Sequence, residues 1–353
     1  MNAFIHFHDV SKSFGQTLVV ENLELEVKKG EFVSLLGPSG SGKTTILMML
    51  AGFEDASSGA IWMDGERIQD LPPHKRGIGV VFQNYALFPH MTIAENVAFP
   101  LQMRGMAKSE IRERVAKALD RVRLGHLGER RPDQLSGGQQ QRVALTRALV
   151  FEPKVVLMDE PLGALDKQLR EEMQLEIREL HRRLGLTVVF VTHDQGEALT
   201  MSDRVAIFDK GRISQIGSAS DVYDKPANAF VAQFIGETNL LKAEVASQDH
   251  RELVVDFGEG ARIRTPRPAS GDVAGNVVVS IRPERLMLAS EAGDNSFEAG
   301  VDDVVYQGDH LRLHLSRGAL RFVVRCERRN APPAVGSRTH LRFDPADCTV
   351  FAA

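Results

Sequence analysis

The sequence predicts an α/β domain with a mainly parallel sheet over residues 1–236, followed by a small all-β domain over 237–353. Three observations support this. Up to about Gly236, apolar strand-like runs such as "FVSLLG", "KVVLMDE" and "TVVFVTHD" alternate with helical segments, the pattern of a parallel sheet covered by helices. After about Asn239 the chain changes to short alternating runs separated by Gly, Pro and Asp, which reads as a small β-barrel. Between the two best-defined early elements, "FVSLLG" and "TTILMMLAG", stands a glycine-rich connection, "GPSGSGKT" at 37–44.

Composition restricts the function. A chain of 353 residues with 43% hydrophobic content can bury one large core and one smaller core. Its 43 basic and 47 acidic side chains leave a formal charge of -4, so no global field draws in nucleic acid or an anionic membrane. The start, "MNAFIHFHDVSKSFG", lacks a charged segment followed by an apolar one, and no apolar run reaches membrane-spanning length. The expectation is a cytosolic chain that does not itself span a membrane. Cys326 and Cys348 make neither a disulfide framework nor a zinc pattern and read as ordinary small residues.

Phe14 comes first along the chain and can stack on a base, although one aromatic says little alone. In the stretch Gly37, Pro38, Ser39, Gly40, Ser41, Gly42, Lys43, Thr44 and Thr45, the glycines let backbone amides turn inward around phosphate oxygens. The helix after them aims its positive end at the same place. Lys43 would reach the outer phosphates of ATP or GTP, and Thr44 would offer its hydroxyl to Mg²⁺. Gln83 ends the run "VVFQ", where its amide can touch Mg²⁺ or water. The next segment, "NYALFPHMTIAENVAFPLQMRG", gives way to the charged helical "KSEIRERVAKALDRV"; a small helical subdomain over about 86–150 accounts for both.

A second glycine cradle comes roughly a hundred residues later. "DQLSGGQQQRVALTRAL" sets Leu135, Ser136, Gly137, Gly138 and Gln139 at the opening of a helix, whose amide end favours an anion. The near-continuous apolar run Val155–Met158, which suits a strand buried on both faces, then ends in Asp159 and Glu160, two carboxylates at a strand's C-terminal edge, where ligands bind in open α/β sheets. There Asp159 would hold the Mg²⁺ shell and Glu160 would polarise the attacking water. Leu169, Met173, Ile177, Leu180 and Leu184 recur at helical spacing, and Gly185 stands where a left-handed cap belongs. His193 closes "VVFVTH" at another strand end, placed to donate a hydrogen bond to a γ-phosphate. "RVAIFDKGRISQIG" reads as a hairpin turning at Asp209, Lys210 and Gly211. In the last third, Leu311, Leu313 and Leu315 alternate as in a half-buried strand.

Taken in this order and spacing, the glycine loop, "VFQ", "LSGGQ", "VVLMDE", "GALD" and "VTHD" resemble the ATPase subunit of an ATP-binding cassette (ABC) transporter over residues 1 to about 236. The resemblance implies a P-loop NTPase cassette with ATP and Mg²⁺ as its ligands. By it Phe14 stacks on adenine, Gln83 senses nucleotide and membrane partner, Glu160 is the catalytic base and His193 the switch histidine. Asp166 of "GALD" communicates between the two sites of a dimer. Leu135–Gln139 then faces the nucleotide of a second copy, so that two ATPs are sandwiched head to tail. The last third, in "VVVSIRPERLML", "VDDVVYQGDHLRLHL" and "DPADCTVF", resembles the C-terminal oligonucleotide-fold (TOBE) domain of bacterial importers. Among these, "VFQNYALFPHMTIAENVAFPL" and "FVAQFIGETNLL" are most similar to the spermidine and putrescine subgroup. Ferric iron, sulfate, sugar and phosphonate importers have similar ATPases.

The partners so implied are permease subunits in the inner membrane, at whose cytoplasmic face the chain would sit, and indirectly a periplasmic binding protein. Tyr85, Leu87, Phe88 and Pro89 are expected to dock a coupling helix of the permease. A soluble translation or repair cassette normally carries two cassettes or coiled-coil insertions, and neither is present. A nucleic-acid module would use Arg262, Arg264, Arg312 and Arg325, yet Asp302, Asp303 and Asp309 intervene and aromatics are sparse.

Overall fold

The computed structural model describes residues 3–249, 252–258, 261–267, 273–293, 295–328 and 332–352. The chain forms two compact units, Met1–Ala219 and Ser220–Ala353. In the first unit the order is β1 (Ile5–Phe14), β2 (Thr17–Val27), β3 (Phe32–Leu36), α1 (Lys43–Ala51), β4 (Ser58–Met63), β5 (Glu66–Arg67), β6 (Ile78–Val81), α2 (Ile93–Gln102), α3 (Lys108–Arg121), α4 (Gly137–Leu149), β7 (Val155–Asp159), α5 (Lys167–Leu184), β8 (Thr187–Thr192), α6 (Gln195–Met201), β9 (Arg204–Asp209) and β10 (Arg212–Gly217).

Six strands form the central sheet in the order β10-β9-β3-β8-β7-β6. All neighbours in it are parallel except β9 and β10. Every residue of β3, β7 and β8 is buried, which is why these strands read as continuous apolar runs. The β9–β10 turn is two residues long, with Lys210 at φ 46 and Gly211 at φ 81, and this left-handed pair matches the twist of the strands it joins. α5 buries Met173, Ile177 and Leu180, and Gly185 at φ 59 closes it by donating its amide to His181 O; Leu184 is exposed.

The alternation of strands and helices did not announce a second sheet. β2, β1, β4 and β5 pair antiparallel into four strands, with Ile5, Phe7, Leu23, Leu25, Ile61 and Met63 turned into the core they share with α1. Helices α2, α3 and α4 bury Ile93, Val97, Leu101, Ile111, Val115, Leu119 and Val143 in a core of their own.

The second unit holds α7 (Ala219–Asp224), which starts at the boundary, α8 (Ala229–Phe234), β11 (Asn239–Gln248), β12 (Glu252–Asp256), β13 (Arg262–Pro266), β14 (Asn276–Ile281), β15 (Met287–Ala289), β16 (Ser296–Tyr306), β17 (His310–Arg317), β18 (Leu320–Glu327), β19 (Arg338–Arg342) and β20 (Cys348–Ala352). Two five-stranded antiparallel sheets, β13-β12-β11-β14-β20 and β15-β19-β16-β17-β18, share one core. Leu311, Leu313 and Leu315 point into it. Both cysteines are free, and burial pushes the Cys348 thiol up to about 12.

The break between units comes ahead of the residue 236 that the change of pattern indicates, because one buried arginine holds α7 and α8 to the β-unit. The Arg282 guanidinium donates to the carbonyls of Tyr223, Ala232, Gly236 and Glu237 at 2.9 to 3.2 Å. It also lies 4.3 Å from the centre of the Tyr223 ring. Three of the arginines a nucleic-acid surface would use are occupied in ion pairs: Arg262 with Asp256, Arg312 with Glu237 and Arg325 with Asp309.

Candidate active site

The site is assembled by strand register. Leu36 of β3 stands beside Thr192 of β8, Val191 of β8 beside Asp159 of β7, and Met158 of β7 beside Val81 of β6. Neighbouring strands lie about 4.8 Å apart, so the residues at and just past the strand ends are gathered on one short edge. These are the loop from Gly37, the pair Thr192-His193, the pair Asp159-Glu160, and Phe82-Gln83.

In the loop, a Cβ on Gly37 would meet Phe208 O at 2.6 Å, and one on Gly42 would meet Val19 O at 2.8 Å. Both positions therefore demand glycine, and Gly40 and Gly42 add φ values of 79 and 95 that side chains rarely adopt. Gly42 precedes α1 without any side-chain cap, whereas α2, α4, α5 and α6 are each capped by their own Thr92, Ser136, Asp166 or Asp194. As behind Ala107 at the start of α3, the first-turn amides of α1 have no side-chain acceptor and can receive an anion. Lys43, almost wholly buried, donates from Nζ to Gly37 O at 2.9 Å, Pro38 O at 2.8 Å and Ser41 Oγ at 3.2 Å. Burial pulls its pKa below the usual lysine value, against the nearby Glu160 and Asp159 carboxylates.

The carboxylates divide their tasks by environment. Asp159 Oδ1 accepts from Thr44 Oγ1 at 3.0 Å, which puts two hard oxygen donors where a Mg²⁺ ion on the outer phosphates would sit. Burial raises the Asp159 pKa; the Thr44 hydrogen bond lowers it, Glu160 raises it further and Lys43 lowers it. Glu160 accepts from Gln83 Nε2 at 3.2 Å, and its other oxygen lies 3.2 Å from His193 Nδ1. Its backbone is in the left-handed region at φ 43, with its amide bonded to Val191 O at 2.9 Å. The sheet edge over-determines this strained turn, as is common where a reactive group must be aimed.

Phe14 is exposed at the β1–β2 turn with the Lys12 ammonium 4.6 Å from its ring centre. Val19 of β2 places its carbonyl where a Cβ on Gly42 would meet it at 2.8 Å, so the antiparallel sheet that carries Phe14 reaches the loop. The other cradle goes elsewhere. Ser136 caps α4, its Oγ accepting from Gln139 N at a long 3.4 Å while Gln139 Oε1 accepts from Ser136 N at 2.9 Å. A Cβ on Gly138 would strike Leu169 Cδ2 at 2.8 Å, whereas one on Gly137 would find only Leu165 Cδ2 at 3.6 Å. This signature stretch, Leu135–Gln139, therefore abuts the start of α5, next to Asp166, which caps that helix by accepting from Leu169 N at 3.0 Å.

Tyr85 must be removed from the expected docking surface. It is buried, in the core with Ala144 and Leu145, because the carbonyls of Tyr85 and Ala86 are gripped by Arg147 at 2.8 and 2.7 Å. Leu87 and Phe88 are half-buried and Pro89 is exposed. Asn96, fully buried, braces that loop by accepting from Phe88 N at 2.8 Å and donating to Phe88 O, Met91 O and Thr92 O.

Sequence reading also missed Arg170. From the first turn of α5 it donates to Leu165 O at 3.1 Å and Asp194 Oδ2 at 3.3 Å, tying the turn before Asp166 to the turn after His193. Buried Glu197, its pKa raised by that burial, accepts from Thr192 Oγ1 at 2.6 Å beneath it. The available signal was its position four residues after Asp166 on the same helix face.

Because the folded state raises the pKa of Asp159, it binds the proton more tightly than the unfolded chain does. Stability therefore falls as pH rises from the ordinary carboxylate range through the raised value, and the cost persists at neutral pH. Asp159→Asn removes the charge and keeps an acceptor for Thr44. At pH 7 without nucleotide it is expected to unfold at higher temperature than wild type while binding Mg²⁺-ATP about tenfold or more weakly. Calorimetry and nucleotide titration check both arms, and a lower unfolding temperature contradicts the assignment.

The family model described as "ABC transporter" matches residues 20–163, and the "TOBE domain" model matches 279–351. The spermidine/putrescine import ATP-binding protein PotA of Roseobacter denitrificans is 48% identical over 326 residues, covering 92% of this chain and 90% of its own length. The protein of that name from Rubrobacter xylanophilus is 48% identical over 98% of this chain and 93% of its own, and that from Thermotoga maritima is 46% identical over 87% and 85%. Among solved structures, a dimeric bacterial ABC transporter cassette superposes with a TM-score of 0.55 at 35% identity, over 61% of this chain and 98% of its own. A dimeric post-hydrolysis cassette bound to ADP and phosphate gives 0.55 at 34% identity, with the same coverage. With close to half its residues identical over nearly the whole length of such relatives, the chain belongs to the ABC transporter family, as one of its ATP-binding cassette subunits.

Proposed function

We propose that the chain hydrolyses ATP to drive import of a polyamine of the spermidine or putrescine type through a separate membrane permease fed by a periplasmic binding protein. The hydrolytic reading rests on Glu160, whose carboxylate is held between Gln83 and His193 beside the phosphate loop. From there it can orient a water and accept its proton as the γ-phosphoryl group leaves. Lys43 and the α1 amides would hold the outer phosphates, and His193, exposed at its tip, would donate to the γ-phosphate. Thr44 and Asp159 would hold Mg²⁺, which when bound offsets charge on the phosphoryl oxygens.

The signature helix supplies the rest of the reading. Ser136 holds its capping bond loosely, at 3.4 Å, and would complete the site of a second copy, so that a two-fold pair makes each contact twice. ATP bound only between closed copies shifts the permease through its differential affinity for the two states; a swing from 1:99 to 99:1 takes about 5.5 kcal/mol. Leu87, Phe88 and Pro89 would receive the permease helix at the cytoplasmic face. No described helix is long and apolar enough to cross a membrane. The solute class rests on the names of these relatives, each a spermidine/putrescine import ATP-binding protein.

Gly137 has room for a larger side chain in its own fold. Gly137→Asp is therefore expected to fold, to bind ATP within about twofold of wild type, and to lose at least about 99% of hydrolysis, since one oriented electrostatic contact is worth 10²–10³ in rate. Steady-state ATPase and fluorescent-nucleotide titration test this; an equal loss in both undoes the division between copies. For the solute, deleting the gene is expected to abolish uptake of labelled spermidine or putrescine, restored by the wild-type chain and not by Glu160→Gln. Normal polyamine uptake with loss of sulfate, sugar, phosphonate or ferric iron uptake moves the assignment to that class and leaves the ATPase reading standing.

A further inference from the structure

On the antiparallel sheet, apart from the nucleotide residues, two imidazoles and a carboxylate converge. His6 and His8 alternate on the outward face of β1, while Ile5 and Phe7 face the core. Glu24 projects from β2 between them, with Oε2 3.3 Å from His6 Nε2 and Oε1 3.2 Å from His8 Nδ1. One donor atom from each of the three residues lies within 4.8 Å of the others. In a tetrahedral site with bonds of about 2.0–2.1 Å, donor atoms are about 3.4 Å apart; each imidazole already lies near that distance from one oxygen of Glu24, and the remaining separations would close as an ion draws the three groups together.

We propose that His6, His8 and Glu24 form a binding site for a divalent transition metal, Zn²⁺ by their chemistry, unrelated to the Mg²⁺ of nucleotide hydrolysis. Two imidazoles and one carboxylate form a borderline nitrogen–oxygen set that suits zinc and leaves positions for water, whereas magnesium prefers oxygen throughout. The backbone is shaped to aim these groups. Phe7 pairs with Leu25 and Val10 with Leu23, so His8 and Asp9 together oppose Glu24 in a β-bulge, a device that re-aims side chains. Asp9 adopts φ 49 there, and its amide donates to Glu24 Oε1 at 2.7 Å, the outer contact that orients a metal-binding carboxylate. On the other side β4 places Gly59, where a Cβ would lie 2.3 Å from Asp9 O. Both flanking strands are therefore fitted to the bulge. The ion would clip edge strand β2 to β1.

A local reporter is present. Trp62 is the chain's single tryptophan, and it pairs directly with His6 across β1 and β4. The full chain, stripped with chelator and free of nucleotide and magnesium, is titrated with Zn²⁺ while Trp62 emission is followed, and separately with Co²⁺ while its visible absorption is read. The expected result is one ion per chain with a change in Trp62 emission and a visible cobalt band. The affinity should fall about tenfold or more in His8→Ala, and both signals should vanish in the His6→Ala/His8→Ala double variant while its Mg²⁺-ATP binding stays at the wild-type value. Absence of a Trp62 response at saturating Zn²⁺ overturns the proposal. So does a response of equal affinity in the double variant, which would place the ion among other residues such as Asp159, Glu160 and His193.

Discussion

The cassette depends on the register in which four parallel strands end. Because Leu36, Thr192, Asp159 and Val81 finish nearly level on β3, β8, β7 and β6, the next residue or two of each strand meet on one edge. A slip of one residue would turn each side chain to the opposite face of the sheet. β3, β7 and β8 are buried along their whole length, so a slip that drew a further carboxylate such as Glu160 into them would cost several kcal/mol. Burial of the strands therefore aligns the site, and no separate device is needed to bring Lys43, Asp159, Glu160 and His193 together.

That alignment places like charges close together on a partly buried edge, and the structure balances them with neighbours of opposite sign. Lys43 is buried against loop carbonyls and two carboxylates, and burial disfavours its charge as it disfavours that of Asp159. Groups so arranged gain most when a polyanion and its cation enter together. The two helix ends that could receive phosphate differ in the same sense. α1 begins with no side-chain cap, whereas α4 is capped by its own Ser136. The first leaves its amides open to a ligand and the second satisfies its own first turn, which fits the proposed meeting of Leu135–Gln139 with ATP only in a pair of copies.

Most of the site was legible because its residues are punctuation at the ends of apolar runs. The runs before Gly37, Asp159 and His193 are buried on both faces, so their pattern is unbroken and their ends are sharp. The Lys210-Gly211 turn and the Gly185 cap were legible for a related reason, since both need left-handed backbone. The sheet formed by β1, β2, β4 and β5 was not, because its strands are half exposed, bulged, and separated by β3 and α1 in sequence. Cations turned inward onto backbone carbonyls were also hidden. Arg282 and Arg147 look like surface residues until their carbonyl partners are known. For the same reason Tyr85 read as an exposed aromatic, although Arg147 draws its backbone inward.

The central claim is that each chain contributes the phosphate loop of one ATP site and the signature helix of the other. Its most direct test mixes a tagged Lys43→Ala chain, expected to hold ATP only weakly in its own loop, with a Glu160→Gln chain, expected to bind ATP and nearly stop turning it over. The mixture receives an ATP analogue that is photoreactive at the γ-phosphate, and the cross-linked residues are mapped by mass spectrometry. The account predicts label on the Lys43→Ala chain within Leu135–Gln139, and only when the second chain is present. Label confined to the Glu160→Gln chain, or equal labelling of Lys43→Ala alone, would contradict it.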